Sequence, residues 1–276
     1  MKKLRIYLWL IGIFMSIAFI IYIVGIGNDA VEVAIQNILA VIPAVAAVVS
    51  LLSLFIVSRN ENFNSTKWLF LAVGIFLYCL GELSWMIYEV VLGKDPFPSV
   101  ADLFWLVGYI PLFIGLIMTV AETKASLISN RTPLLCLVIG MITAVSIVFL
   151  ISPILQSSEI TLVEKALDLA YPLGDLLLVI PALGILILYE RGLLGKPWQF
   201  ILIGFVCFSV ADLLFSYFTW MEIFDIFPFY MIDLLWASGY FAIAIGAVYE
   251  RMIIETIICN REISAPEEKV PVGMKV

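Results

Sequence analysis

The sequence predicts an all-α, polytopic membrane protein of eight transmembrane helices, a tandem parallel repeat of four plus four. Three observations carry that prediction. Of the 276 residues, 63% are hydrophobic and 13% are charged, outside the balance of ordinary soluble domains. Several apolar runs exceed the ~18–20 residues that a helix needs to cross a bilayer. Those runs are continuous, whereas a transmembrane β-barrel needs short strands of alternating polarity.

In order, the spans fall at roughly 5–27, 31–57, 67–91, 98–121, 133–153, 160–190, 197–220 and 228–256. The first follows Met1-Lys2-Lys3-Leu4-Arg5 in the manner of a signal peptide. Its apolar segment is too long for an h-region and no small-x-small site follows, so it reads as a retained helix. The third and fourth spans are joined by Gly93-Lys94-Asp95-Pro96-Phe97-Pro98, a polar turn marked by proline. Ser99-x-x-Asp102 reads as a capping box opening the fourth. Pro172 and Gly174 lie inside the sixth and predict a kink or break beside Asp175. The chain after Asn260 is charged and contains Pro266 and Pro271. The expected organisation is a first four-helix unit at 1–131, a second at 132–257, and a disordered cytoplasmic tail at 258–276.

Basic residues set the orientation. Lys2, Lys3, Arg5, Arg59, Lys67, Lys124, Arg131, Arg191, Lys196, Arg251, Arg261, Lys269 and Lys275 fall on one side of eight spans, and only Lys94 and Lys165 fall on the other. The positive-inside rule then puts both termini in the cytoplasm of a multi-pass plasma-membrane protein, with the lipid bilayer as its first partner.

The repeat is visible residue by residue. Asp102-Leu103-Phe104-Trp105 and Gly108-Tyr109 return as Asp233-Leu234-Leu235-Trp236 and Gly239-Tyr240, at an offset of 131. Trp68, Gly74 and Glu82 match Trp198, Gly204 and Asp212 at 130, Gly115 matches Gly246, and Asn37 falls opposite Asp175. Each unit has an even number of spans, so both cross in the same sense about a pseudo-twofold along the membrane normal. The recurring glycines read as helix-packing positions.

Acidic residues inside the spans point to a site. Glu82, Asp102, Asp175, Asp212 and Asp233, with Asn37, stand 15 to 22 residues from the basic end of their helices. At 1.5 Å per residue that is about 22–33 Å, in the outer half of the bilayer. A charged side chain at the bilayer centre costs at least ~2.5–3.5 kcal/mol. Capping accounts for Asp102 but not for a shared depth. Trp105, Tyr109, Trp236 and Tyr240 occupy the same helix faces as the acids and complete the expected lining. Such an acid-and-aromatic cavity suits a small-molecule or cation ligand.

Other chemistries lose their residues. The chain has no histidine, which removes the usual general base and the usual zinc ligand. Cys79, Cys136, Cys207 and Cys259 stand singly and read as small apolar side chains. No catalytic residue, metal site or cofactor is expected. The net charge of −7 and the absence of a basic stripe argue against nucleic acid.

Two segments carry a resemblance: Pro96-Phe97-Pro98-Ser99-Val100-Ala101-Asp102-Leu103-Phe104-Trp105-Leu106-Val107-Gly108-Tyr109 and Ala170-Tyr171-Pro172-Leu173-Gly174-Asp175-Leu176-Leu177-Leu178. The chain resembles the multi-span N-terminal sensory regions of bacterial diguanylate cyclase (GGDEF) signalling proteins. That resemblance covers most of residues 67–250 and implies sensing, with a separate cytoplasmic partner carrying the signal because no output domain follows Arg251. The leading expectation is therefore a ligand- or ion-sensing membrane module. A proton- or cation-coupled transporter or channel is the alternative, weakened by an inner half almost without polar residues. An acid-based enzyme acting on lipid is the third class.

Overall fold

The computed structural model describes residues 2–122, 161–189, 195–221, 223 and 226–264. The expected span at 133–153, with Cys136, and residues 265–276 of the tail lie outside the described residues. Within them every regular element is helical, and seven helices are long and apolar enough to cross a membrane. The chain is a multi-pass membrane protein.

Helix α1 (Lys2–Val24) ends in a turn where Gly25 and Gly27 take φ of +69° and +83°, a backbone region open to glycine. Helix α2 (Asp29–Asn60) starts from an Asn28 cap whose Oδ1 accepts the Val31 N–H at 3.0 Å. Helix α3 (Thr66–Met86) runs on into a π-helical turn, Ile87–Val91. Helix α4 (Val100–Glu122) opens as the sequence predicts. The Ser99 N–H donates to Asp102 Oδ2 at 2.6 Å and the Ala101 N–H to Ser99 Oγ at 3.1 Å. Helix α5 (Leu162–Tyr189) and helix α6 (Gly195–Trp220) follow, then a 3-10 turn (Phe229–Ile232) leading into helix α7 (Asp233–Ser264).

Two expectations differ from what is observed. Helix α5 passes through Pro172 and Gly174 without a break, so Asp175 sits within a continuous helix and caps nothing. Helix α7 extends to Ser264, seven residues beyond the 257 boundary expected for the second unit.

Each of α2 to α6 packs on its successor, and α7 returns to α2, so six helices close a ring. Helix α1 stands outside and packs chiefly on α7, with the Phe14 and Phe241 rings edge to face at 5.2 Å. Outward faces are apolar. On α4, Leu103, Val107, Ile110, Ile114 and Ile117 form one exposed stripe at helical spacing, as a lipid-facing surface requires. The buried core lies inside the ring and includes Ala44, Ala47, Leu51, Leu71, Ile75, Leu112 and Leu116.

Glycines bring two helix pairs close. A Cβ on Gly74 would lie 3.0 Å from the Gly108 carbonyl oxygen, and one on Gly108 would lie 3.2 Å from that of Gly74. The pair Gly204 and Gly239 repeats this between α6 and α7, at 2.8 and 3.0 Å. Contacts this tight leave no room for a side chain. Trp68 and Trp198, both buried, stack with ring centroids 5.4 Å apart at the basic end of the ring.

Candidate functional site

Helix α3 sends Tyr78, Glu82 and Trp85 to one face, and the π-helical turn that continues it adds Glu89. Helix α4 contributes Asp102, Trp105 and Tyr109, α6 contributes Phe208, Asp212 and Phe215, and α7 contributes Asp233, Trp236 and Tyr240. These spacings of three and four residues keep each set on the inner side of its helix. Together with the start of α2, the four sets enclose a cavity of about 420 Å³. It lies at the end of the ring opposite most of the basic residues, among residues that include Asp29, Glu32 and Tyr230.

Four rings make its inner boundary. Tyr78 packs against Tyr109 and Phe208 at 5.7 Å each, and Phe208 against Tyr240 at 4.8 Å. Trp85 meets Trp105 at 5.7 Å and Phe215 at 5.9 Å, and Phe215 meets Trp236 at 5.8 Å, forming the walls. Beyond the floor toward the basic end comes the apolar core.

Every acid of the belt is held by an aromatic donor. Tyr171 O–H donates to Asp102 Oδ1 at 2.6 Å. Trp236 Nε1–H donates to Asp212 Oδ1 at 2.6 Å, and Tyr240 O–H to Glu82 Oε1 at 2.7 Å. Tyr22, reaching in from α1, donates to Asp233 Oδ2 at 2.8 Å. The Tyr109 hydroxyl lies 2.8 Å from Asp175 Oδ1 and 3.3 Å from Asp212 Oδ2. Its single hydrogen serves one of them at a time. Such bonds to ionisable groups are the strong class, and an unmade one in a low-dielectric interior is costly.

Of the ten residues expected from sequence, nine line the cavity: Asn37, Glu82, Asp102, Trp105, Tyr109, Asp212, Asp233, Trp236 and Tyr240. Asp175 does not. It is buried at 3% exposure behind Tyr109, and its Oδ2 has no hydrogen-bond partner among the described residues. Gly174 explains the arrangement, since a Cβ there would fall 2.7 Å from the Tyr109 ring.

Sequence reasoning passed over Glu89 and Tyr22. Glu89 Oε2 accepts from Asn37 Nδ2 at 2.8 Å and from Trp85 Nε1 at 3.2 Å. Its signal was present, because Glu89 is seven residues beyond Glu82 on the same face. Tyr22 gives no such signal; its place follows from how α1 docks on α7. At the opposite end Glu250 is also buried, 7% exposed, with Oε2 unpartnered among the described residues. The inner half is thus less uniformly apolar than its composition suggests.

The lining holds seven carboxylates (Asp29, Glu32, Glu82, Glu89, Asp102, Asp212 and Asp233) and, among the described residues, no lysine or arginine. Ten aromatic side chains stand around them, so the lining is acidic and aromatic together. Compared with protein-family models, curated proteins and solved structures, the chain matches none.

Proposed function

We propose that this chain is a sensory module of the plasma membrane that binds a small organic cation from outside and signals through a separate cytoplasmic partner. In this reading it has eight spans in two tandem four-helix units, and both termini are cytoplasmic. The observation that carries the proposal is the cavity of about 420 Å³ with seven carboxylates and no described basic residue in its lining.

Contacts between matching residues support the tandem repeat. A pseudo-twofold brings equivalent positions together at its axis. Trp68 stacks on Trp198, the floor is made of Tyr78 with Phe208 and Tyr109 with Tyr240, and Glu82 faces the cavity with Asp212. The hydroxyls cross over: Tyr240 donates to Glu82, and Tyr109 reaches Asp212. The cavity therefore sits between the proposed units, where ligand sites of parallel repeats tend to lie.

Sensing is preferred to transport because the four-ring floor and the apolar core separate the cavity from the basic end. It is preferred to acid–base catalysis because Asp175 lies behind Tyr109, so the two carboxylates that share the Tyr109 hydroxyl offer a substrate only Asp212. The test is titration of the purified protein with tetramethylammonium and choline, read by tryptophan fluorescence, since Trp85, Trp105 and Trp236 line the cavity. Saturable changes weakened by Asp212→Asn and Asp233→Asn are expected. A flat response to both ions in folded protein would sink the reading.

A further inference from the structure

We infer that the ligand is a linear diammonium ion, two protonated amines joined by a short methylene chain; this rests on the cation-binding reading above and narrows it. The geometry that points there runs along α3 and its π-helical turn. Glu82, Trp85 and Glu89 follow one another on the cavity wall, an acid, a ring and an acid. Seven helical residues separate the two Cα atoms by about 10 Å. Each acid is fixed on one oxygen: Tyr240 holds Glu82 Oε1, while Asn37 and Trp85 hold Glu89 Oε2. Glu82 Oε2 and Glu89 Oε1 accept no hydrogen bond among the described residues. The two carboxylates are thus oriented, and each retains a free acceptor.

Between them the wall is apolar and aromatic. Trp85 is flanked by Trp105 at 5.7 Å and Phe215 at 5.9 Å. A quaternary ammonium would satisfy such rings but carries one charge for two separately held carboxylates. A small divalent metal would leave the rings unused, because hard cations select oxygen ligands. An extended 1,4-diaminobutane places its nitrogens about 6 Å apart, from bonds of about 1.5 Å. Such an ion offers one ammonium group to each carboxylate, with a hydrogen bond of about 2.8 Å at each end. Its methylenes then lie against Trp85.

The experiment compares 1,4-diaminobutane, 1-aminobutane, tetramethylammonium and Mg²⁺ on the full chain in detergent micelles, by calorimetry and tryptophan fluorescence. The diammonium ion should bind about ten-fold or more tighter than 1-aminobutane, the effect of one further charge-paired hydrogen bond. Glu89→Gln should remove that preference, so that the diammonium ion binds no tighter than 1-aminobutane. Its amide oxygen can still accept from Asn37 and Trp85, so the fold is retained, and a melting curve checks this. Equal affinity for the two amines, tighter binding of tetramethylammonium, or displacement of the diammonium ion by Mg²⁺ at equal concentration would overturn the inference and leave the broader cation reading standing. Failure of every organic cation would remove both.

Discussion

A single methyl group at Gly239 tests whether the cavity depends on the close approach of α6 and α7. In Gly239→Ala the new Cβ would lie 2.6 Å from Phe208 Cε1 and 3.0 Å from the Gly204 carbonyl oxygen. Non-bonded carbons prefer about 3.5–4.0 Å, so the helices must part or the Phe208 ring must yield by about 1 Å. Phe208 has little room, because it packs on Tyr240 at 4.8 Å and on Tyr78 at 5.7 Å. Parting the helices by that amount would stretch the 2.6 Å bond from Trp236 to Asp212 to roughly 3.6 Å, beyond useful range. Overpacking of this kind costs about 1–3 kcal/mol. The expected result is a lower melting temperature in detergent and, under the proposed function, weaker tetramethylammonium binding. Gly12→Ala is the control, since a Cβ there meets nothing within 4 Å and helix propensity favours alanine by up to about 1 kcal/mol. A Gly239→Ala protein that melts and binds like the parent would refute the argument that this contact sets the site.

Three further outcomes are expected. Tyr240→Phe removes the only described donor to Glu82 Oε1 and should destabilise the protein by about 1–3 kcal/mol in thermal unfolding, with no change in helix content by circular dichroism. Asp175→Asn should leave organic-cation affinity within about two-fold, while Asp212→Asn lowers it about ten-fold, because only the second residue faces the cavity; fluorescence titration separates them. Cysteines introduced at Gly93 and at Asn62, on a background lacking the native cysteines, should react with a membrane-impermeant thiol reagent from outside and from inside the cell respectively. The reverse pattern would invert the proposed orientation.

The depth of the acids was legible in the sequence because carboxylates are rare in apolar spans and each marks a definite rise along its helix. Direction around the helix was legible where two or three polar or aromatic residues shared a face, as with Asp102, Trp105 and Tyr109. Asp175 had such companions in Asp168 and Tyr171 at the same spacing, and face and depth together still placed it in the cavity when Tyr109 in fact stands between. Its neighbour Gly174 was read as a breaker, whereas in α5 it makes room for the Tyr109 ring. A proline or glycine in a membrane helix carries both meanings, and only the neighbouring helix decides between them. The same reasoning explains Tyr22. Nothing in α1 distinguishes its tyrosine from an interfacial anchor until α7 supplies Asp233 at 2.8 Å. Packing between helices, not composition within them, therefore selects which of the polar groups at a common depth meet. Glu89 is the instructive exception, because its face was already written in the spacing from Glu82. Its position near the end of the apolar run concealed it, and the π-helical turn carries the helix far enough for that face to remain on the cavity.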